Sequence, residues 1–121
     1  TTVPGRREWT TLLDALRRVP AHPGVRVVGA PDFPDREVPG VELVPRMPAS
    51  ELRLLKERCS FAILPLSERG HSHGQLALLD LMAAGAAVLV SDTSGTRDYV
   101  RDGETAILYR ATDPEDLAAK L

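Results

Sequence analysis

A chain of 121 residues with 43% hydrophobic and 26% charged side chains can bury one real core, which excludes both a disordered tract and two separate domains. The net charge is −2, with 15 basic against 17 acidic residues, and the basic ones are scattered, so the footprint of a nucleic-acid binder is absent. The single cysteine, Cys59, excludes an internal disulfide and suits a reducing, cytoplasmic setting; no signal peptide or lipidation motif is read in these residues.

Residues 1–5 carry no pattern. Trp9, Leu12, Leu13, Leu16 and Val19 then recur at helical spacing until Pro20, predicting a helix over 9–19. VRVVG (25–29) predicts a strand, residues 30–40 a loop rich in Pro and Asp, and VELV (41–44) a second strand. Ser50 reads as the N-cap of a helix through Arg58, with Leu52, Leu54 and Leu55 inward and Cys59 packed at its end. FAILPL (61–66) predicts a third strand, running into a polar loop over 67–73.

GQLALLDLMAAGAAVLV (74–90) is the most apolar stretch of the chain. Residues 76–84 read as a helix apolar nearly all round and therefore buried, with Gly85 as its stop and a buried strand over 87–91 behind it. The run is too short and too interrupted, by Asp80 and Gly85, to span a membrane. Asp80 in a packed helix needs a polar partner. It is either a structural carboxylate or the acceptor of a ligand's hydroxyls. Asp80 stands about 8 Å along the axis from Gln75, and the helix start offers unpaired N–H groups to a phosphate. Phosphate at Gly74–Gln75 and sugar hydroxyls at Asp80 would be the layout of a nucleotide.

Residues 93–102 predict a loop and a short helix in which Ser94, Gly95 and Thr96 supply the start, closed by Gly103. Arg97, Asp98 and Arg101 read as a solvated face with local ion pairs. Residues 106–109 predict a fifth strand, and Asp113-Pro114-Glu115-Asp116 opens a last helix with a cap, Pro at its first position and acids in its first turn. Strands apolar on both faces, alternating with helices, indicate an α/β fold with a doubly wound parallel sheet. Ligands of such sheets bind at the carboxyl ends of the strands, which is where the 67–75 loop lies. No P-loop or G-x-G-x-x-G occurs, which argues against an NTPase or a dinucleotide oxidoreductase.

VELVPRMPASELRLLKERCSFAILPL, HGQLALLDLMAAGAAVLVSDTSGTRDYVRDGETAILY and GRREWTTLLDALRRV together cover most of the chain. They resemble the C-terminal, nucleotide-sugar-binding domain of family 4 glycosyltransferases. The resemblance implies the Rossmann-like half of a GT-B fold, truncated at both ends and lacking the acceptor domain. Its opening strand would be missing, leaving a gap between the strands at 25 and 61. It further implies a nucleoside diphosphate sugar as donor, a glycosyl acceptor held by the absent domain, retention of anomeric configuration, and no metal or other cofactor.

The family's E-x7-E motif ends at Asp80, whose counterpart binds the ribose hydroxyls of the donor. Eight residues earlier stands Ser72, so the first acid is unassigned, with Glu68 its nearest substitute. The resemblance further places Gly74 and Gln75 against the diphosphate, Arg7 at the phosphate-binding basic position with Arg6 as a possible second, and the backbone near Arg46 and Met47 at the base. His71 and His73 form an H-x-H pair in the donor loop. With no further ligands nearby they read as residues facing phosphate or sugar, His73 as a catalytic candidate, rather than as metal ligands. The chemistry needs no protein nucleophile, since Arg7 and the helix start can stabilise the departing diphosphate. A rival from another class is a noncatalytic α/β binding module that kept the fold and lost the chemistry. A second, acceptor-binding domain in the longer gene product would separate the two.

Overall fold

The computed structural model describes residues 7–34, 37–68 and 74–121. In chain order the elements are α1 (Trp9–Arg18), β1 (Val25–Val28), β2 (Val41–Val44), α2 (Ala49–Arg58), β3 (Ala62–Leu64), α3 (Gln75–Ala83), β4 (Val88–Asp92), α4 (Ser94–Arg97), β5 (Ile107–Arg110) and α5 (Pro114–Lys120). Each strand pairing is parallel. The strands form two groups among the described residues: β1 with β2, and β3-β4-β5 with β4 in the middle. Among the described residues β1 and β3 do not pair, and no strand lies between them.

The double winding follows from the alternation of side chains along β4. Leu89 points into a cluster with Leu12, Leu13 and Leu16 of α1, Tyr109 of β5 and Leu117 of α5. Its neighbours Val88 and Val90 point the other way, with Leu64, Leu66, Leu78 and Ala106. Helices α1 and α5 thus cover one face and α3 the other. Helix α5 starts as its sequence dictates: the Asp113 carboxylate accepts from the N–H groups of Glu115 and Asp116, both at 3.0 Å.

Three expectations are corrected. Pro48, not Ser50, is the N-cap of α2, its carbonyl accepting from the Leu52 N–H at 3.0 Å, and Ser50 lies inside the helix. Leu54 is half exposed and α2 buries no side chain completely, because among the described residues this helix lies along the space between β1 and β3, which Leu52, Leu54 and Leu55 line. Helix α3, expected to be buried all round, buries only Leu78 completely; Leu76 is 82% exposed and Leu79 42%. It packs on β3 and β4 by one face alone. At the start of α4 it is Thr93 and Thr96 that organise the turn: the Thr96 hydroxyl accepts from the Thr93 N–H at 3.0 Å and donates to the Ser91 carbonyl at 2.8 Å.

Candidate functional site

The carboxyl end of β3 gathers parts of the site from three places in the chain. Leu66, just beyond β3, makes an antiparallel bridge to Arg7, and the Glu8 N–H donates to the Pro65 carbonyl at 3.0 Å. The Leu66 side chain in turn packs against Gly74, where an added Cβ would stand 2.7 Å from both Leu66 δ-carbons. Gly74 adopts φ +85°, a left-handed conformation that favours glycine, and serves as N-cap of α3. Arg7, Gly74 and Gln75, up to 68 positions apart in sequence, are thus brought together around one leucine.

Leu66 is held from below. Its N–H donates to the Ser91 hydroxyl at 2.8 Å, and that hydroxyl donates to the Tyr109 phenol oxygen at 2.9 Å. All three residues are buried. Burial pushes the Tyr109 phenol up to about 12, against the opposing effect of the Ser91 hydrogen bond. The end of β3 is therefore tied through two hydrogen bonds to the neighbouring strands. Nothing in the sequence marks Ser91 or Tyr109 for this role, because the partners are 25 and 18 residues apart.

Among the described residues the start of α3 is electrostatically open. No side chain caps it among the described residues, and no acid stands in its first turn. First-turn N–H groups without a capping partner and the positive end of the helix dipole make an anion seat. Arg7, whose backbone bridges to Leu66, is half-buried, and desolvation draws its guanidinium below the usual value while the Asp32 carboxylate acts in the opposite sense.

Asp80 is not the buried carboxylate expected from an all-round apolar helix. Its side chain is 68% exposed and forms an ion pair with Lys56 Nζ of α2 at 3.5 Å. The desolvation argument for it falls, since water covers most of the group. What the position offers is a hydrated carboxylate, reachable by a ligand, with a cation beside it. Lys56 went unnoticed in the sequence: it precedes Asp80 by 24 positions, with no periodicity linking them.

Glu68 is committed to the turn into α4. Its carboxylate accepts from the Ser94 N–H at 3.0 Å and from the Ser94 hydroxyl at 2.6 Å. Arg97 is a charged neighbour of this carboxylate and itself pairs with Asp92 at 2.6 Å. Met47 lies beyond the end of β2 and lines, with Arg7 and Lys56, a cavity of about 880 Å³ between β1 and β3. His71, His73, Ser72 and Arg6 lie outside the described residues.

Against known proteins, the glycosyl transferases group 1 family matches residues 3–121. The chain belongs to that family. A D-inositol 3-phosphate glycosyltransferase of Geodermatophilus obscurus is 30% identical, over 80% of this chain and 24% of its own length. The sucrose-phosphate synthase of Thermosynechococcus elongatus superposes with a TM-score of 0.77 at 21% identity, covering 94% of this chain and 32% of the synthase. That likeness extends the family assignment to the fold, the parallel α/β half of a GT-B glycosyltransferase. The chain spans about a quarter of the first of these proteins and about a third of the second. Among the described residues no helix is long and apolar enough to cross a membrane.

Proposed function

We propose that this glycosyl transferases group 1 domain binds the donor, a nucleoside diphosphate sugar, in an enzyme that transfers the sugar to an acceptor hydroxyl with retention of configuration. The observation that supports it best is the convergence of Arg7, Gly74 and Gln75 at the carboxyl end of β3, beside a helix start that no side chain of the described residues caps. A diphosphate there meets a guanidinium and first-turn N–H groups, each charge-assisted hydrogen bond contributing about 1.5–3 kcal/mol. Asp80, roughly 7.5 Å farther along α3 at 1.5 Å per residue, takes the ribose hydroxyls, and the backbone at Met47 receives the base.

In transfer, the bond between the anomeric carbon and the diphosphate oxygen breaks and the acceptor oxygen bonds to that carbon. The acceptor's proton passes to the departing phosphate. Negative charge grows on the diphosphate as its bond breaks, so Arg7 and the α3 amides hold it more strongly in the transition state than in the ground state. Glu68, through Ser94, acts on the position of the donor loop, and His73 remains the candidate to meet the sugar.

The test is transfer by the intact protein from a panel of nucleoside diphosphate sugars, with the product's anomeric configuration read by NMR. The expected product keeps the donor's configuration, with activity indifferent to chelator. An inverted product would overturn the retaining reading. No transfer from any donor, with nucleotide still bound, would favour the noncatalytic module.

A further inference from the structure

The charged side chains of α2 point in different directions. Arg53 and Glu57 pair with each other at 2.8 Å, and the Arg53 side chain is 79% exposed. Lys56 turns instead toward α3, with 21% of its side chain exposed, and its Nζ stands 3.5 Å from Oδ2 of Asp80. Its methylene stem is covered and only the ammonium reaches the carboxylate. The last turn of α2 is fixed at this point: the Cys59 N–H donates to the Leu55 carbonyl at 3.0 Å, and the Cys59 thiol to the Lys56 carbonyl at 3.2 Å. Among the described residues neither Lys56 nor Asp80 forms another ion pair.

With the carboxylate 68% exposed, the pair adds little to folding, and ordering a lysine side chain opposes even that. Its effect changes once a ligand covers Asp80. Hydroxyls that bind the carboxylate displace its water, and a carboxylate taken out of water without a counter-charge is strongly disfavoured. The attraction to an ammonium already in place grows as the local dielectric constant falls. The geometry leaves room for this exchange. A carboxylate has about four acceptor sites; Lys56 stands at Oδ2, which leaves Oδ1 and the rest of Oδ2 for a cis pair of hydroxyls.

We propose that Lys56 is a positioning residue for the donor's ribose: its ammonium orients the Asp80 carboxylate and supplies the counter-charge that lets it exchange water for the ribose hydroxyls. The inference rests on the donor reading above. It also joins the two parts of a nucleoside. Helix α2 follows directly from the segment at Met47 that receives the base in that reading, and Asp80 receives the sugar bonded to that base.

Calorimetric titration of the intact protein tests it, with the ribonucleoside diphosphates of the common bases and their 2′,3′-dideoxy forms as probes and the unfolding transition recorded alongside. The variants are Lys56→Met, which keeps the covered stem and removes the charge, Lys56→Arg, Asp80→Ala, and Lys56→Met combined with Asp80→Ala. Lys56→Met weakens the ribonucleotide by about threefold to tenfold, leaves the dideoxy form unchanged and barely moves the unfolding transition. Lys56→Arg restores most of the affinity. The double variant binds no more weakly than Asp80→Ala alone, because Lys56 acts through that carboxylate. Wild-type affinity in Lys56→Met, equal weakening of ribo and dideoxy forms, or additive losses in the double variant would overturn the role of Lys56, while a loss in Asp80→Ala would still uphold the donor reading. A wild type that does not distinguish ribo from dideoxy forms, or binds neither, would overturn the donor reading and this inference with it.

Discussion

Replacing Asp80 with alanine separates ligand binding from stability, because the structure makes the two effects differ in size. The carboxylate is 68% exposed and pairs with Lys56 at 3.5 Å. An exposed ion pair of this kind contributes about 0–1 kcal/mol, so Asp80→Ala lowers stability by less than about 1 kcal/mol. If the carboxylate accepts from two ribose hydroxyls, its removal costs about 1.5–3 kcal/mol of binding, as expected for hydrogen bonds to a charged group. That is a loss of about tenfold to somewhat over a hundredfold in affinity. Asp80→Asn keeps the shape, loses the charge and recovers part of the loss. A 2′,3′-dideoxy nucleoside diphosphate binds the wild type weakly and is nearly indifferent to either substitution, since the partner hydroxyls are gone. Calorimetric titration of the intact protein, with the unfolding transition recorded alongside, gives both numbers. Unchanged affinity for the ribonucleotide in Asp80→Ala would refute the ribose assignment. A stability loss well beyond about 1 kcal/mol would refute the argument from exposure.

Ser91→Ala orphans the buried Leu66 N–H and removes the donor to Tyr109, so it destabilises by about 1–3 kcal/mol in urea unfolding, while Tyr109→Phe, which leaves the Leu66 bond intact, costs less. The Tyr109 phenol, raised from 10.0 to about 12, keeps its proton longer in the folded state than in the unfolded one. Stability therefore falls as pH rises through that interval, and Tyr109→Phe abolishes this alkaline loss. Asp116 is held below the usual carboxylate range, first by the Arg110 N–H and then by Lys120. Its contribution is present above the unfolded carboxylate value and lost as pH falls through the lower folded one. The stability difference between wild type and Asp116→Asn accordingly shrinks on acidification, as urea midpoints measured across that range will show.

Local chemistry made much of the fold readable. Strands apolar on both faces, Pro20 and Gly85 as stops, and Asp113-Pro114 as a start depend on neighbours a few residues away, and the elements form where those signals stand. The errors share a different origin. Helix α3 reads as buried because apolar residues surround it, yet Leu76 and Leu79 face outward, since what covers a helix is decided by the sheet beneath it and not by its own composition. Ser50 reads as a cap by residue type, but the backbone of Pro48 had already begun the turn. At the site, Arg7, Gly74 and Gln75 could be named from resemblance, whereas the elements that hold them could not. Leu66 with Ser91, Ser91 with Tyr109, Glu68 with Ser94 and Lys56 with Asp80 are pairings across strands and helices that leave no periodic trace.

The central claim is that the end of β3 and the start of α3 form a diphosphate seat with Arg7. The measurement that tests it most directly is calorimetric titration of the intact protein with a nucleoside and with the corresponding nucleoside diphosphate, in wild type and in Arg7→Met. The account predicts that the diphosphate binds wild type far more tightly than the nucleoside. Arg7→Met should cut that advantage by about tenfold to a hundredfold while leaving the nucleoside's own affinity unchanged. Equal affinities for nucleoside and nucleoside diphosphate, or an advantage that survives Arg7→Met in a folded protein, would contradict it.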